Sequence, residues 1–165
     1  MTELRFLSPS RCEPGTTTSP LRRALEDAPA EVRDLWLDGV VEIRGDLDLV
    51  GANDGEELVR LSPRRGYLFT RDDPFDVVAR LRAAGVLAYD ATGALAGIAL
   101  EGEQLMRRLT DLHLDRLPAA GPFARVPALV LRDEGESFRV YVPQELAHDV
   151  ALAVLHALDG LRARA

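Results

Sequence analysis

Two rhythms divide the chain: apolar residues recur at every second position in some stretches and with a helical period in others. Leu4–Leu7 is a short strand candidate. A polar loop through Thr16–Thr18 leads to Ser19-Pro20, an N-cap and first-turn pair for a helix over Leu21–Asp27. Within Val32–Arg44, residues Leu35, Leu37, Val41 and Ile43 mark an extended run interrupted near Asp38-Gly39. Asp46–Glu57, rich in Gly, Asn and Asp, reads as a hairpin loop. Leu58–Thr70 is a further extended stretch, kinked at Ser62-Pro63. Asp72-Asp73-Pro74 then opens a helix from Phe75 to Ala84, which Gly85 ends.

Val86–Tyr89 supplies a linking strand, and the order then repeats. Leu95–Leu100 is a strand, and Glu101–Thr110 is a helix with Leu105, Met106 and Leu109 on one face. Phe123–Arg132 and Ser137–Val142 form a hairpin across the polar tip Asp133-Glu134-Gly135-Glu136. Pro143 pre-sets the first turn of a last helix, Pro143–Arg162, where Leu146, Val150, Val154, Leu158 and Leu161 make an apolar stripe. Each half thus runs strand, helix, strand, strand, helix. The expectation is an α+β fold, with antiparallel-rich sheets covered by helices. It forms a single domain over 1–165, built of two similar halves, about 1–88 and 89–165.

Composition narrows the chemistry. At 165 residues the chain can bury a substantial core, about 68–70% of the surface its unfolded form exposes. A net charge of −7 argues against nucleic-acid binding, which needs a basic stripe to neutralise phosphates. Every basic side chain other than histidine is Arg, so lysine Schiff bases, P-loop lysines and lysine general bases are excluded. The single Cys12 lies in a Ser/Thr/Pro/Gly-rich loop, with neither a disulfide partner nor a thiol cluster for metal ligation. The first residues lack the apolar stretch of a signal peptide, and no run reaches membrane-spanning length. The expected location is cytoplasmic.

The succession of short segments from Ser19 to Leu158 resembles the gamma subunit family of heterotetrameric sarcosine oxidase, within the folate-binding aminomethyltransferase superfamily that includes the glycine cleavage T-protein. The residues behind this are Ser19-Pro20-Leu21, Leu61-Ser62-Pro63 followed by Tyr67-Leu68-Phe69, Asp90-Ala91-Thr92, Leu100-Glu101-Gly102, Leu112-His113-Leu114-Asp115, Phe138–Val142 and Glu145-Leu146-Ala147. The resemblance implies the fold of the aminomethyltransferase folate-binding domain. It also implies larger flavoprotein partner subunits that hold FAD, FMN, NAD and tetrahydrofolate while oxidising sarcosine.

The departures matter equally. Aminomethyltransferases of this superfamily place a carboxylate beside folate, on a strand entered through a Gly-Gly turn. Here Phe123–Leu131 holds no acid and no Gly pair, so it cannot perform that proton transfer. The resemblance stops short of the C-terminal β-domain that completes a folate-binding T-protein, so folate catalysis by this chain alone is not expected. The Lys-Gly-Cys-Tyr segment of the iron–sulfur repair relatives has no counterpart. The chain alone is therefore expected to bind no cofactor and to contribute assembly and stability. The alternatives are a free-standing folate-binding protein of aminomethyltransferase type, or a homodimeric binding module of the same fold.

Candidate site residues follow. Arg64, Arg65 and Arg71 flank the Tyr67–Phe69 strand and suit a protein interface, where Arg and Tyr are enriched at hot spots. Asp90 and Thr92 offer either a surface facing a partner or a turn that satisfies backbone donors. His113 with Asp115 would make an acid–base pair only if screened from water. His148 and His156, eight positions apart, are offset by about 80° on a helix and diverge too far to share a metal.

Overall fold

The alternating stretch Val32–Arg44 becomes two strands, β1 (Val32–Leu35) and β2 (Gly39–Arg44), and the break between them carries the chain from one sheet to another. The structure, a computed structural model, describes residues 19–164, so the expected Leu4–Leu7 strand lies outside the described residues. The elements that follow are β3 (Glu57–Ser62), β4 (Arg65–Thr70), α1 (Pro74–Ala83), β5 (Leu87–Asp90), β6 (Leu95–Glu101), α2 (Glu103–Leu109), β7 (Ala119–Phe123), β8 (Val126–Arg132), β9 (Ser137–Pro143) and α3 (Ala147–Arg162).

All strand pairs are antiparallel. One sheet has the order β1-β6-β9-β8-β7, the other β3-β4-β2-β5. With the three α-helices of the described residues packed on them, the fold is α+β as expected. The period-two pattern tells which face each sheet turns outward. On β8 and β9, Ala128, Val130, Phe138, Val140 and Val142 point to a cluster shared with α2 and α3. Leu129, Leu131 and Tyr141, one register position away, point inward to Val59, Tyr67 and Phe69 of the other sheet. The outer face of that second sheet buries Val41, Ile43 and Leu68 beneath Val77, Val78 and Leu81 of α1. The layers therefore run helix, sheet, sheet, helix. Fully buried side chains such as Phe123 and Phe138 each contribute about 1.5–3 kcal/mol to this arrangement.

Local chemistry explains where the elements start and stop. The Asp73 carboxylate accepts a hydrogen bond from the Phe75 amide at 2.9 Å, and Pro74 fills the first helical turn of α1. Val32 N–H bonds to the Pro29 carbonyl at 2.9 Å, closing the approach to β1.

Four expectations need correction. Leu21–Asp27 is a run of turns, not a helix: Leu25 N–H reaches the Leu21 carbonyl at 2.9 Å, but no second helical turn follows. Pro29 bars continuation, and so short a helix has little stability of its own. The segment nevertheless plants Leu21, fully buried, in the α2/α3 cluster. Asp46–Glu57 is not a hairpin loop, because β2 pairs with β4 and β5 and not with β3. It instead crosses the sheet, seating Leu47 and Val50 against α1's cluster. Leu58–Thr70 is not one kinked strand but the β3–β4 hairpin, with an irregularity in its register between Arg60 and Ser62. Phe123–Arg132 is likewise split. Ala124 (φ 47°) and Arg125 (φ 69°) form a two-residue turn that pairs Phe123 with Val126, adding β7 to the sheet. Neither turn residue is the Gly or Asn that such a turn favours, and each costs about 1–2 kcal/mol in the left-handed region.

Two tests follow. A Cβ on Gly66 of β4 would stand 2.7 Å from the Val59 carbonyl oxygen and 3.1 Å from Leu47 Cδ1, whereas one on Gly51 would meet nothing within 4 Å. Gly66→Ala should lower stability by about 1–3 kcal/mol in a urea titration, and Gly51→Ala should leave it unchanged or raise it by about 0.4–1 kcal/mol. Equal effects would mean that neither the β3 backbone at Val59 nor Leu47 of the crossing loop packs closely on Gly66. The second concerns acid. The Arg162 guanidinium, 2.7 Å from Glu31, holds that carboxyl below its usual range. Glu103 is lowered first by its hydrogen bond from Arg107. A depressed carboxyl contributes stability that is complete above the unfolded value, about 4.3, and is lost as pH falls through the lower folded value. Arg162→Gln should therefore give a shallower loss of stability below that pH, measured by thermal melts across the acid range.

Candidate functional site

The chain crosses between the sheets twice, side by side. Residues 36–38 lead from β1 to β2, and residues 91–94 lead back from β5 to β6. Hydrogen bonds staple the two crossings together. Thr92 Oγ1 accepts from Val40 N–H at 2.9 Å, Ala91 N–H donates to the Val40 carbonyl at 2.8 Å, and Asp90 Oδ1 accepts from Thr92 N–H at 2.9 Å. Asp90 and Thr92 thus sit in a turn that closes on its own backbone.

Arg64, Arg65 and Tyr67 lie at the start of β4, and Arg71 lies just past its other end. Arg64 is exposed at the β3–β4 tip. Arg65 Nε donates to Glu42 at 3.1 Å, and Tyr67 is half-buried in the inter-sheet cluster. Arg71 is exposed. The six predicted residues therefore form no single cluster: one group stands at the β3–β4 tip, and Arg71, Asp90 and Thr92 stand at the end where the chain crosses. His113, Asp115, His148 and His156 are all exposed, and no group of three or more His, Cys, Asp or Glu among the described residues could hold a metal ion.

Sequence reasoning missed Trp36. This lone tryptophan sits on the first crossing, is 54% exposed, and separates two clefts. One, of about 460 Å³, is walled by Leu35, Leu37, Thr92, Gly93 and Gln144. The other, of about 300 Å³, opens onto Phe69, Arg71, Glu57, Arg139 and Tyr141. The isolated Trp beside the Asp38-Gly39 break was the available signal. Phe75, 68% exposed, follows Pro74 at the head of α1. Leu87 and Tyr89 are exposed on edge strand β5. That edge is partly closed, because Arg82 donates through Nε and Nη2 to the Ala88 carbonyl at 3.0 and 2.8 Å, with its guanidinium over the Tyr89 ring.

Between the clefts the two sheets are bolted together. The rings of Phe69 and Tyr141 lie 4.6 Å apart, tilted by 31°. Arg139, on β9, reaches Glu57 of β3 with both terminal nitrogens at 2.7 and 2.8 Å, and Asp133 with a third set of contacts. These carboxylates keep the guanidinium firmly charged. Burial pushes the Tyr141 phenol upward, so it remains a neutral donor or acceptor beside Arg139 at 3.3 Å. Val59, Leu129, Leu131, Tyr67, Phe69 and Tyr141 pack between the sheets. A further cleft of about 230 Å³ lies between Leu61 and Tyr67 on one sheet and Leu129 and Tyr141 on the other. Strands β7 and β8 carry no carboxylate before Arg132. This is the geometry of a brace, with open clefts at its rim.

The molecule is thus an α+β sandwich of two antiparallel sheets between helices. The chain matches no protein-family model and no curated protein sequence. Among solved structures it superposes on a chain of the heterotetrameric sarcosine oxidase of Corynebacterium sp. U-96, determined in complex with pyrrole 2-carboxylate. The TM-score is 0.71 at 18% identity, over 87% of this chain and 95% of that one. At that identity the likeness is one of fold.

The brace is testable. Arg139→Gln leaves Glu57 and Asp133 facing each other without their cation. It should cost about 1–2 kcal/mol, since hydrogen bonds to charged groups contribute about 1.5–3 and this site is partly open to water. Denaturant midpoints would show it, and an unchanged midpoint would mean that apolar packing alone joins the sheets.

Proposed function

We propose that this chain is a non-catalytic, gamma-type subunit of a heterotetrameric sarcosine-oxidase-like flavoenzyme complex, supporting assembly and stability. The observation that carries this reading is the fold likeness to a sarcosine oxidase chain over nearly the whole length of both. Similarity that spans a whole subunit, and not one shared module, favours the same place in an assembly. In this reading FAD, FMN, NAD and tetrahydrofolate belong to larger flavoprotein partners, and this chain binds none of them alone. The β7–β8 hairpin, with no carboxylate before Arg132, supports a docking body more than a catalytic one.

The partner would dock on the rim, where large apolar groups are exposed: Trp36 at the crossings and Phe75 at the head of α1. Arg71 stands at the same end of β4 and supplies a cation there; Arg64 and Arg65 offer a second contact at the β3–β4 tip. Aromatic and Arg side chains are the groups that carry most binding energy at interfaces.

The test is purification of the tagged chain from its own source, with a visible absorbance scan and an oxygen-consumption assay on sarcosine. Flavin bands, larger subunits and sarcosine-dependent turnover in one peak are expected, and Trp36→Ala should reduce the yield of that complex. Binding should also raise the chain's thermal midpoint, since a partner at a hundred times its Kd adds about 2.7 kcal/mol. A colourless, partner-free chain that takes up folate by itself would overturn the reading in favour of a free-standing folate binder.

A further inference from the structure

Another concave surface lies on the opposite side of the larger sheet, away from the crossings. Its walls are the C-terminal end of α2, the middle of α3 and the β7–β8 turn, enclosing about 580 Å³. Four of its lining side chains are Arg107, Arg108, Arg125 and His156, and the one acid is Asp111. In a chain with net charge −7, this is a local reversal of sign: with Arg107 paired to Glu103, Arg108 and Arg125 still outnumber Asp111 even with His156 neutral.

Not all of these cations are committed elsewhere. Arg107 is held by Glu103 of its own helix, at 2.9 Å from Nε. Among the described residues, Arg108 and Arg125 have no ion-pair partner. Arg108 lies across α3, with Nη1 3.3 Å from where a Cβ on Gly160 would stand. Arg125 is brought to the cleft by a left-handed backbone (φ 69°), a conformation that glycine would adopt without strain.

The backbone on two sides of the cleft is tied together, while the arginine side chains above it are exposed. Ala124 N–H donates to the Leu109 carbonyl at 2.7 Å, and Thr110 Oγ1 donates to the Pro122 carbonyl at 2.6 Å, tying the turn to the end of α2. The floor between the cations is apolar, formed by Ala124, Ala153 and Ala157. A strained residue persists only where its surroundings over-determine it, and such residues gather at binding sites.

We propose that this cleft binds the phosphate group of a small organic phosphate. The planar guanidinium groups of Arg108 and Arg125 match phosphate oxygens, each able to give two parallel N–H···O bonds, and their combined charge matches a dianion. His156 stands at the same cleft as a further donor, and the alanine floor takes the apolar body of the ligand. This site is separate from the docking rim and stands whether or not the chain is an oxidase subunit.

The test is a titration of the ¹⁵N-labelled full chain, at low ionic strength, with inorganic phosphate and with phenyl phosphate, followed by amide NMR. Saturable shifts confined to Thr110–Asp111, Ala124–Arg125 and His156–Ala157 are expected, with phenyl phosphate binding more tightly than inorganic phosphate. Arg125→Gly should weaken binding about tenfold while raising the thermal midpoint, because it removes the cation and the strain together. Arg108→Gln should weaken binding similarly without the gain in stability, and Arg33→Gln, on the far edge strand β1, should change nothing. Shifts spread evenly over exposed arginines, unchanged affinity in Arg125→Gly, or phenyl phosphate binding no better than inorganic phosphate would overturn the proposal.

Discussion

The inner faces of the two sheets carry side chains that only the opposite sheet covers, and the double crossing of the chain forces those faces together. Because β1 pairs with β6, the larger sheet joins strands from both sides of the two crossings, while the smaller sheet is the continuous run β2–β5 held between them. Separating the sheets would strain both crossings at once. The bonds from Ala91 and Thr92 to Val40 tie the crossings to each other, so the layer containing Leu129, Leu131, Val59 and Tyr141 is clamped at one end by backbone geometry. Burial alone fixes no direction; the clamp does. It sets which residues of β4 meet which of β9, and therefore that Phe69 meets Tyr141.

The polar brace has a different role. Arg139 is partly exposed, and ion pairs of that kind are modest in energy compared with the apolar layer they border. Their value lies in orientation, because a guanidinium shared between Glu57 and Asp133 fits only one relative placement of β3 and β9. The same division holds on the outer faces. The clusters beneath α1 and beneath α2 and α3 supply the burial, while single groups such as Asp73, Thr110 and Arg162 decide where each helix begins, ends or is tied.

How much of this was legible in the sequence depended on the range of the interaction involved. Strands such as Leu95–Leu100 and Ser137–Val142, and the helix over Phe75–Ala84, came within a residue or two of the observed bounds, because alternation, caps and the closing glycine are local signals. Leu21–Asp27 misled because Ser19-Pro20 is a sound helix opening, while the fate of the next turns depends on Pro29 and on where Leu21 is buried. The β7–β8 turn was invisible because Ala124-Arg125 lacks the residues that announce such a turn. That β2 pairs with β4 and not β3 is a question of partner choice, which periodicity along one strand does not encode. The dispersal of the six predicted site residues has the same origin. Arg65 and Arg71 are neighbours in sequence but flank a strand, so the backbone carries them to opposite ends.

The distribution of unsatisfied surface follows from the same construction. Where the two sheets pack through Phe69, Tyr141 and Leu131 the space between them is taken by side chains. Among the described residues the open surface therefore lies at the crossings, in the clefts beside this layer and at the outer seams between elements. At the crossings the chain cannot bury everything it carries: residues 36–38 bridge two sheets with no strand beside them, which leaves Trp36 between two clefts. At the outer seam the β7–β8 turn is pinned to α2 by hydrogen bonds that satisfy its backbone and leave the Arg125 side chain uncommitted. The two surfaces differ in kind because their constraints differ. The crossings expose apolar area, which suits a protein partner, whereas the seam gathers cations over an alanine floor, which suits a small anion.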